Sequence, residues 1–427
     1  MNHAWKLDRV QSYTRPRLQR LLRNLLRRST DPRKCRGRRH KYVQMLHGLL
    51  AGLLANCPSL RSVEELTERL RLGRRGSKIS DTALGSLTEI LEPSQFLAAL
   101  VDQVHDMRSR NELDPVGLPC GVATVDGKNL ATLEHHAGGL GHFRENEQKT
   151  QCWWLMPALR SVLTSAAGRP ALGQWLQPPG VGESTEFRVF FWWLVMQYGR
   201  HGLFEIVDVD AGFTSRENWE LVDGAGYGVV MGLKGNQPEL HDYASKTLCR
   251  LAVRQDPEAT TPWECQNGKR IRRELWRSDA ADGYLGWQNL RQIWLVRQTT
   301  TDKDGNVLHV EDRYFISNVL WNRLKAGQIL VLVRRHWGVE NDCFKSLDIQ
   351  WQEDTKPWWT EGNAVPALGI LRLMAYNVAQ YLRKRRLCVQ EAGRWLPTPW
   401  RKIFELLKEA LIELARLATA KEATAPP

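Results

Sequence analysis

The sequence predicts an α/β protein: a mixed sheet with flanking helices, behind an all-α N-terminal domain, with a β-rich insertion ahead of a late helix. Three observations predict it. Up to residue 113 the apolar spacing is helical. From residue 115 the chain reads in the order β–β–β–α–β–α–β. Residues 238–322 are then polar with strand-like pieces, before helical spacing resumes. The implied plan is a basic helical domain (1–113), a first core segment (114–237), the insertion (238–322), a last core segment (323–390) and a C-terminal helix and tail (391–427).

The N-terminal helices come first. RLQRLLRNLLRR (17–28) sets Leu18, Leu21, Leu22, Leu25 and Leu26 on one stripe. KYVQMLHGLLAGLLANC (41–57) is strongly apolar, and SVEELTERL (62–70) opens on Ser62 with Glu65 three residues on, a capping pattern. The basic loop GRRGSK (73–78) reads equally as a phosphate contact or a surface turn. In the core, LPCGVATVDGKNL (118–130) is a buried strand expected to turn at Asp126-Gly127. Residues 151–177 form two strands around Ala-Gly-Arg-Pro, and 184–199 a helix capped by Ser184 or Thr185. LFEIVDVDAGF (203–213) is a strand ending at Asp210, NWELVDGAG a short helix and YGVVMGLKGN (227–236) another strand. Strand-like pieces follow at 271–279, 290–298 and 310–319, and helices at 364–386 and 401–417.

Composition narrows the function. The 427 residues are 42% hydrophobic, enough for sizeable cores, and the longest apolar run, VFFWWLVM, is too short for a bilayer. Eight scattered cysteines without a CxxC pair indicate neither a zinc module nor a disulfide framework, and a cytoplasmic location is expected. The net charge is +13, and residues 1–41 hold 14 Lys/Arg against 2 acids. So concentrated a patch points to nucleic acid, with a solvated arm or an anionic membrane surface as the other readings.

Three acids carry the candidate chemistry. Asp126 and Asp210 are expected at strand ends, where ligands collect in such sheets. The third lies in LVLVRRHWGVENDCFKSLD (330–348). On a regular helix starting from Leu332, Cys343 falls at about 20°, His336 at 40°, Leu347 at 60° and Phe344 at 120°. Glu340 falls at about 80°, within this apolar arc, where a carboxylate needs a cation, a metal or a reaction to serve. Each acid has a plainer reading: the aspartates as turn formers, Glu340 as the partner of Arg335 or His336. A helical bundle with such a pair and no nucleic-acid role would leave Asp126 and Asp210 far from Glu340. Convergence of all three would suit hard divalent cations and two-metal phosphodiester chemistry. The eighteen tryptophans, among them Trp276, Trp287, Trp294, Trp337, Trp351, Trp358 and Trp359, read as core residues or as stacking surfaces for bases.

Several motifs between 115 and 385 carry a family resemblance: VDGK (125–128), VLTSAAGRPALGQW with EST-E (183–186), VDVDAGFTSREN (207–218), GYGVVMGLKGNQPELH (226–241), RYFISN (313–318) and RHWGVEN…LD…ED (335–354). The chain resembles bacterial insertion-sequence transposases of the DDE class, specifically the H-repeat-associated group. The resemblance implies a ribonuclease-H-like core and makes Asp126, Asp210 and Glu340 the metal-binding catalytic triad, with Asp208 the rival for the middle place. It implies two Mg²⁺ ions, with Mn²⁺ as a substitute, and double-stranded DNA (element ends and target) as partner of a homodimer at the bacterial nucleoid. The expected reaction is hydrolysis at the element ends and attack of the freed 3′-OH on target DNA. A silent DNA-binding derivative and a metal-dependent nuclease are the alternatives. In the wider group's Tyr-Arg-Glu-Lys signature, the positions around Glu340 hold Val333, His336 and Leu347. The expected DNA contacts are Arg23, Arg27, Arg28, Arg36, Arg38 and Arg39 in the basic domain. Nearer the acids they are Lys128, Lys234, Asn236, Arg335, His336 and Lys345.

Overall fold

A computed structural model of the chain describes residues 3–36, 38–134, 140–266, 268–391 and 394–424. Five helices open the fold: α1 (His3–Arg28), α2 (Tyr42–Leu54), α3 (Leu60–Arg69), α4 (Asp81–Glu89) and α5 (Pro93–Arg108). The leucine stripe of α1 is buried at Leu18, Leu21 and Leu25, whereas Leu26 is exposed. The cap of α3 is Ser59, whose side chain accepts from the Ser62 backbone N–H, so the helix starts a turn earlier than Ser62. GRRGSK forms an exposed single turn in which Arg75 is left-handed (φ +55°).

The core follows as β1 (Val122–Leu133), β2 (His142–Glu145), β3 (Cys152–Leu163), β4 (Ala171–Leu176), α6 (Glu183–Tyr198), β5 (Ile206–Val209), α7 (Arg216–Gly224) and β6 (Gly228–Leu233). Two expectations are corrected. β1 does not turn at Asp126-Gly127: both continue the ladder with β3, opposite Arg160 and Leu159. Asp-Gly is a turn signal only where no partner strand takes the backbone, and β3 takes it here. The α6 cap is Gly182, not Ser184 or Thr185.

The segment expected as an insertion opens on a helix, α8 (Pro238–Arg254), started by a proline at its first turn. Then come β7 (Ala259–Thr260), β8 (Glu264–Gln266), β9 (Lys269–Ser278), β10 (Gln292–Thr301) and β11 (Val307–Ser317). These strands form no sheet of their own. β11 pairs antiparallel with β6, so among the described residues one sheet runs β2-β3-β1-β5-β6-β11-β10-β9-β7, with β4 also on β3 and β8 on β9. β1–β5 and β5–β6 are parallel and the other pairs antiparallel, which makes the sheet mixed.

The chain closes with α9 (Ala326–Gly338), a π-helical turn (Val339–Phe344), α10 (Lys345–Trp351), α11 (Ala364–Tyr381), a second π turn (Leu382–Arg386) and α12 (Trp400–Thr424). Every residue of α11 is buried, and one continuous core joins it to the N-terminal helices, α12 and the α6 side of the sheet. A separate apolar cluster packs α9 on the other face of the sheet. Gly369 lets α11 approach the sheet, since a Cβ there would sit 2.7 Å from Gln174 Oε1. Gln174 accepts from Arg160, which forms a fully buried bidentate pair with Glu353 (2.6 and 2.8 Å) beside buried Arg372. Trp276, Trp287, Trp294, Trp351 and Trp358 are core residues.

Candidate active site

Strand alternation builds the site. Thr124 and Asp126 share a face of β1, and Asp208 and Asp210 follow the same period on and just past β5. That face is the one α9 covers. The Asp208 carboxylate is buried, accepts from Thr124 Oγ1 (3.1 Å) and faces His336 Nδ1 of α9 at 2.9 Å. Asp208 is thus held by its own partners, which leaves Asp210 the open aspartate at this strand end. Asp210 lies half exposed, 3.8 Å from Lys234 Nζ.

The helix bearing Glu340 departs from the regular wheel. Leu332, His336, Cys343, Phe344 and Leu347 are buried as the 100° spacing predicts, but Glu340 is exposed. Glu340 lies within the π turn that begins at Val339, and the residues after it keep the predicted buried arc. Glu340 rims a cleft of about 290 Å³, with Asp210, Lys234, Arg313, His336 and Trp337 among its lining residues.

Electrostatics tie the acids together. Burial drives the Asp126 carboxyl up to about 7, and Glu340 and Asp210 push the same way, while His336 and the Gly127 N–H oppose them. The charges of Glu340 and Asp210 are thus felt at Asp126, and the mixed sheet rules out the helical bundle. Burial disfavours charge on His336, yet Asp208, Asp126 and Asp210 carry it up to about 9, so the ring is an imidazolium set among acids. A further carboxylate, Glu183 at the start of α6, escaped the sequence reading. Its end crowds against Gly127, and burial and Asp210 raise its pKa. Its signal was present, an acid in the first turn of a helix just after the strand pair.

Among the described residues no three His, Cys, Asp or Glu side chains lie close enough together to enclose an ion. The donor chemistry nonetheless fits a hard cation. The acids are carboxylates that raise one another's affinity for positive charge, and hard cations take oxygen ligands.

The expected DNA contacts divide. Arg23, Arg36, Arg39, Lys234 and Lys345 are exposed. Arg27 and Arg28 pair with Asp102, and Arg38 folds onto the Arg33 carbonyl and Asp31. Asn236 donates to Ala211 and Thr214 carbonyls and stitches the loop after β6. Arg335 donates to the Ser165 carbonyl (3.0 Å). Lys128 is buried against Asp348 and the Phe344 ring, and His336 faces Asp208.

The family model of the transposase DDE domain matches residues 141–378, more than half of the chain. The chain belongs to the DDE transposase family. The match contains Glu183, Asp210 and Glu340 and begins after Asp126. No curated protein matches this transposase. No described helix of it is long and apolar enough to cross a membrane.

Proposed function

We propose that this transposase cuts the ends of an insertion sequence by divalent-metal-dependent hydrolysis and joins the freed 3′-OH to target DNA. Asp126, Asp210 and Glu340 are its catalytic carboxylates, in a protein of the H-repeat-associated group. The observation that carries the reading is the coupling of these three acids, from β1, the end of β5 and the π turn, with two of them on one open cleft. The order β4-β3-β1-β5-β6 supports the ribonuclease-H-like reading of the core.

Two Mg²⁺ ions, or Mn²⁺ in their place, would supply activation of the attacking hydroxyl and neutralisation of the leaving oxygen. The chain's own residues do the rest. Asp126 and Asp210 offer oxygens from the sheet, and Glu340 offers its own from the cleft rim. His336 keeps Asp208 paired and supplies one fixed positive charge behind the acids. Lys234 and Lys345 meet phosphates near the cleft, while Arg23, Arg36 and Arg39 make residues 1–113 the basic DNA-holding region. Two protomers, one on each element end, are expected at the nucleoid.

The test is Mg²⁺-dependent cleavage of the DNA flanking the gene, by wild type and by Glu340→Ala. Loss of cutting in the variant is expected, with its fold intact because Glu340 is exposed. Equal cutting by both overturns the assignment. Binding without cutting by the wild type would identify a silent derivative, and cutting without strand transfer a nuclease.

A further inference from the structure

Beside the cleft lies a second charged cluster that the triad does not use. Arg169 sits in the turn between β3 and β4 in the left-handed region (φ +46°). Its guanidinium pairs with Asp342, two residues after Glu340 in the π turn. Lys384, from the second π turn, reaches the same carboxylate oxygen at 3.1 Å. Gly338 makes room, since a Cβ there would collide with the Arg169 guanidinium. Arg335 closes the group from α9, and its charge is felt by Lys384 and disfavoured by Arg169. Arg169 and Lys384 thus face one carboxylate, and Arg335 stands near them with its guanidinium on the Ser165 carbonyl. Arg169, Asp342 and Lys384 keep 25%, 26% and 17% of their side-chain surface open, so the cluster is reachable from solvent.

The surplus is two positive charges in a half-buried place. Like charges gathered this way disfavour one another unless an anion joins them. Burial first, and then Arg169, Arg383 and Arg335, bring Lys384 down to about 7 even though Asp342 lies beside it. Arginine forks and a lysine point charge suit phosphate oxygens. The simpler role, a clamp that only fastens the π turn through Asp342, needs one cation rather than two with a third beside them.

We infer that Arg169, Lys384 and Arg335 form a phosphate-binding site for the DNA backbone beside the cleft, with Asp342 standing where a phosphodiester is received. This rests on the transposase reading above, because the strand entering the cleft is what would bring a phosphate there.

Opposite effects of two variants test it. Binding of full-length protein to a fluorescein-labelled duplex of about 30 base pairs is followed by anisotropy in metal-free buffer across salt concentrations. Arg169→Gln with Lys384→Gln is expected to lower the slope of log affinity against log salt by about one to two. Asp342→Asn, which removes the resident carboxylate, is expected to tighten binding about threefold or more, by the same charge argument. A clamp alone would make Asp342→Asn weaken binding or leave it unchanged, and that result overturns the site. If the double variant does not fold, Asp342→Asn still decides. Tight binding of inorganic phosphate by calorimetry, with no change in DNA slope in any variant, also overturns the assignment to DNA. Cutting assays beside these keep the two readings apart. Normal wild-type cutting with unchanged slopes removes this site alone, while altered slopes in a protein that never cuts remove the cutting reading alone.

Discussion

His336 Nδ1 lies 2.9 Å from Asp208 Oδ2, so the imidazolium of α9 and a carboxylate of β5 form a buried ion pair directly behind the candidate triad. The folded pKa of His336, about 9, exceeds its ordinary value. The pair's stabilisation is therefore complete below about pH 6.5 and lost as pH rises through about 9. Metal-free thermal melts should show stability falling over that window. His336→Gln should remove the slope and cost about 3–5 kcal/mol, because Asp208 is left charged and unpaired. A wild-type melting temperature flat from pH 6.5 to 9.5 would contradict the pairing.

Asp126 gives the opposite limb. Its carboxyl titrates near 7, so below that pH it carries a proton that a cation must displace. Apparent Mn²⁺ affinity, read by calorimetry, should fall roughly tenfold for each pH unit below 7 and level off above about 8. Asp126→Asn should lose that dependence along with most of the affinity.

A methyl group on Gly127 would meet the Glu183 carboxylate, the far end of an exposed side chain that can swing aside. Gly127→Ala should therefore change stability by less than about 1 kcal/mol while moving Glu183 and reducing cutting. Denaturant titration beside a cutting assay measures both. A stability loss well above that value would show that Glu183 is held in place.

Arg160 and Glu353 tie β3 to the segment after α10 with no exposure to water. Glu353→Gln should destabilise the fold by about 3–5 kcal/mol, since Arg160 and Arg372 lose their shared counter-charge. Denaturant titration measures it. A change under 1 kcal/mol would show that water or Gln174 compensates.

Lys128 and Lys234 look alike in sequence and should behave differently. Lys234→Ala should lower the salt slope of DNA binding by about one, whereas Lys128→Met should leave the slope unchanged and show its effect in stability. The reverse result would mean that Lys128 leaves Asp348 when DNA binds.

Residue spacing made much legible. The helical start, the strand pair at 151–177, the strand ending at Asp210 and the buried arc of Leu332, His336, Cys343 and Leu347 all follow from local periodicity, which the final packing kept. It also placed Asp126 and Asp210 at strand ends and set Glu340 on an apolar arc, while the resemblance joined the three as a triad. Glu183 was missed because an acid in a helix's first turn already has a local explanation.

What the sequence determined by itself is therefore the family and most of the order of the elements, without β2 and α8. Tertiary structure decided where backbone hydrogen bonds went and which charges met. β3 held Asp126-Gly127 in a ladder instead of a turn, and β6 captured β11 so that the polar segment extended the sheet. Packing left Glu340, on the arc expected to be buried, at the rim of an open cleft. Lys128 went to Asp348, His336 to Asp208, and Arg169 and Lys384 to Asp342. Partners this far apart in sequence are chosen by the energy of burying charge, which depends on the whole fold and leaves no trace in local spacing.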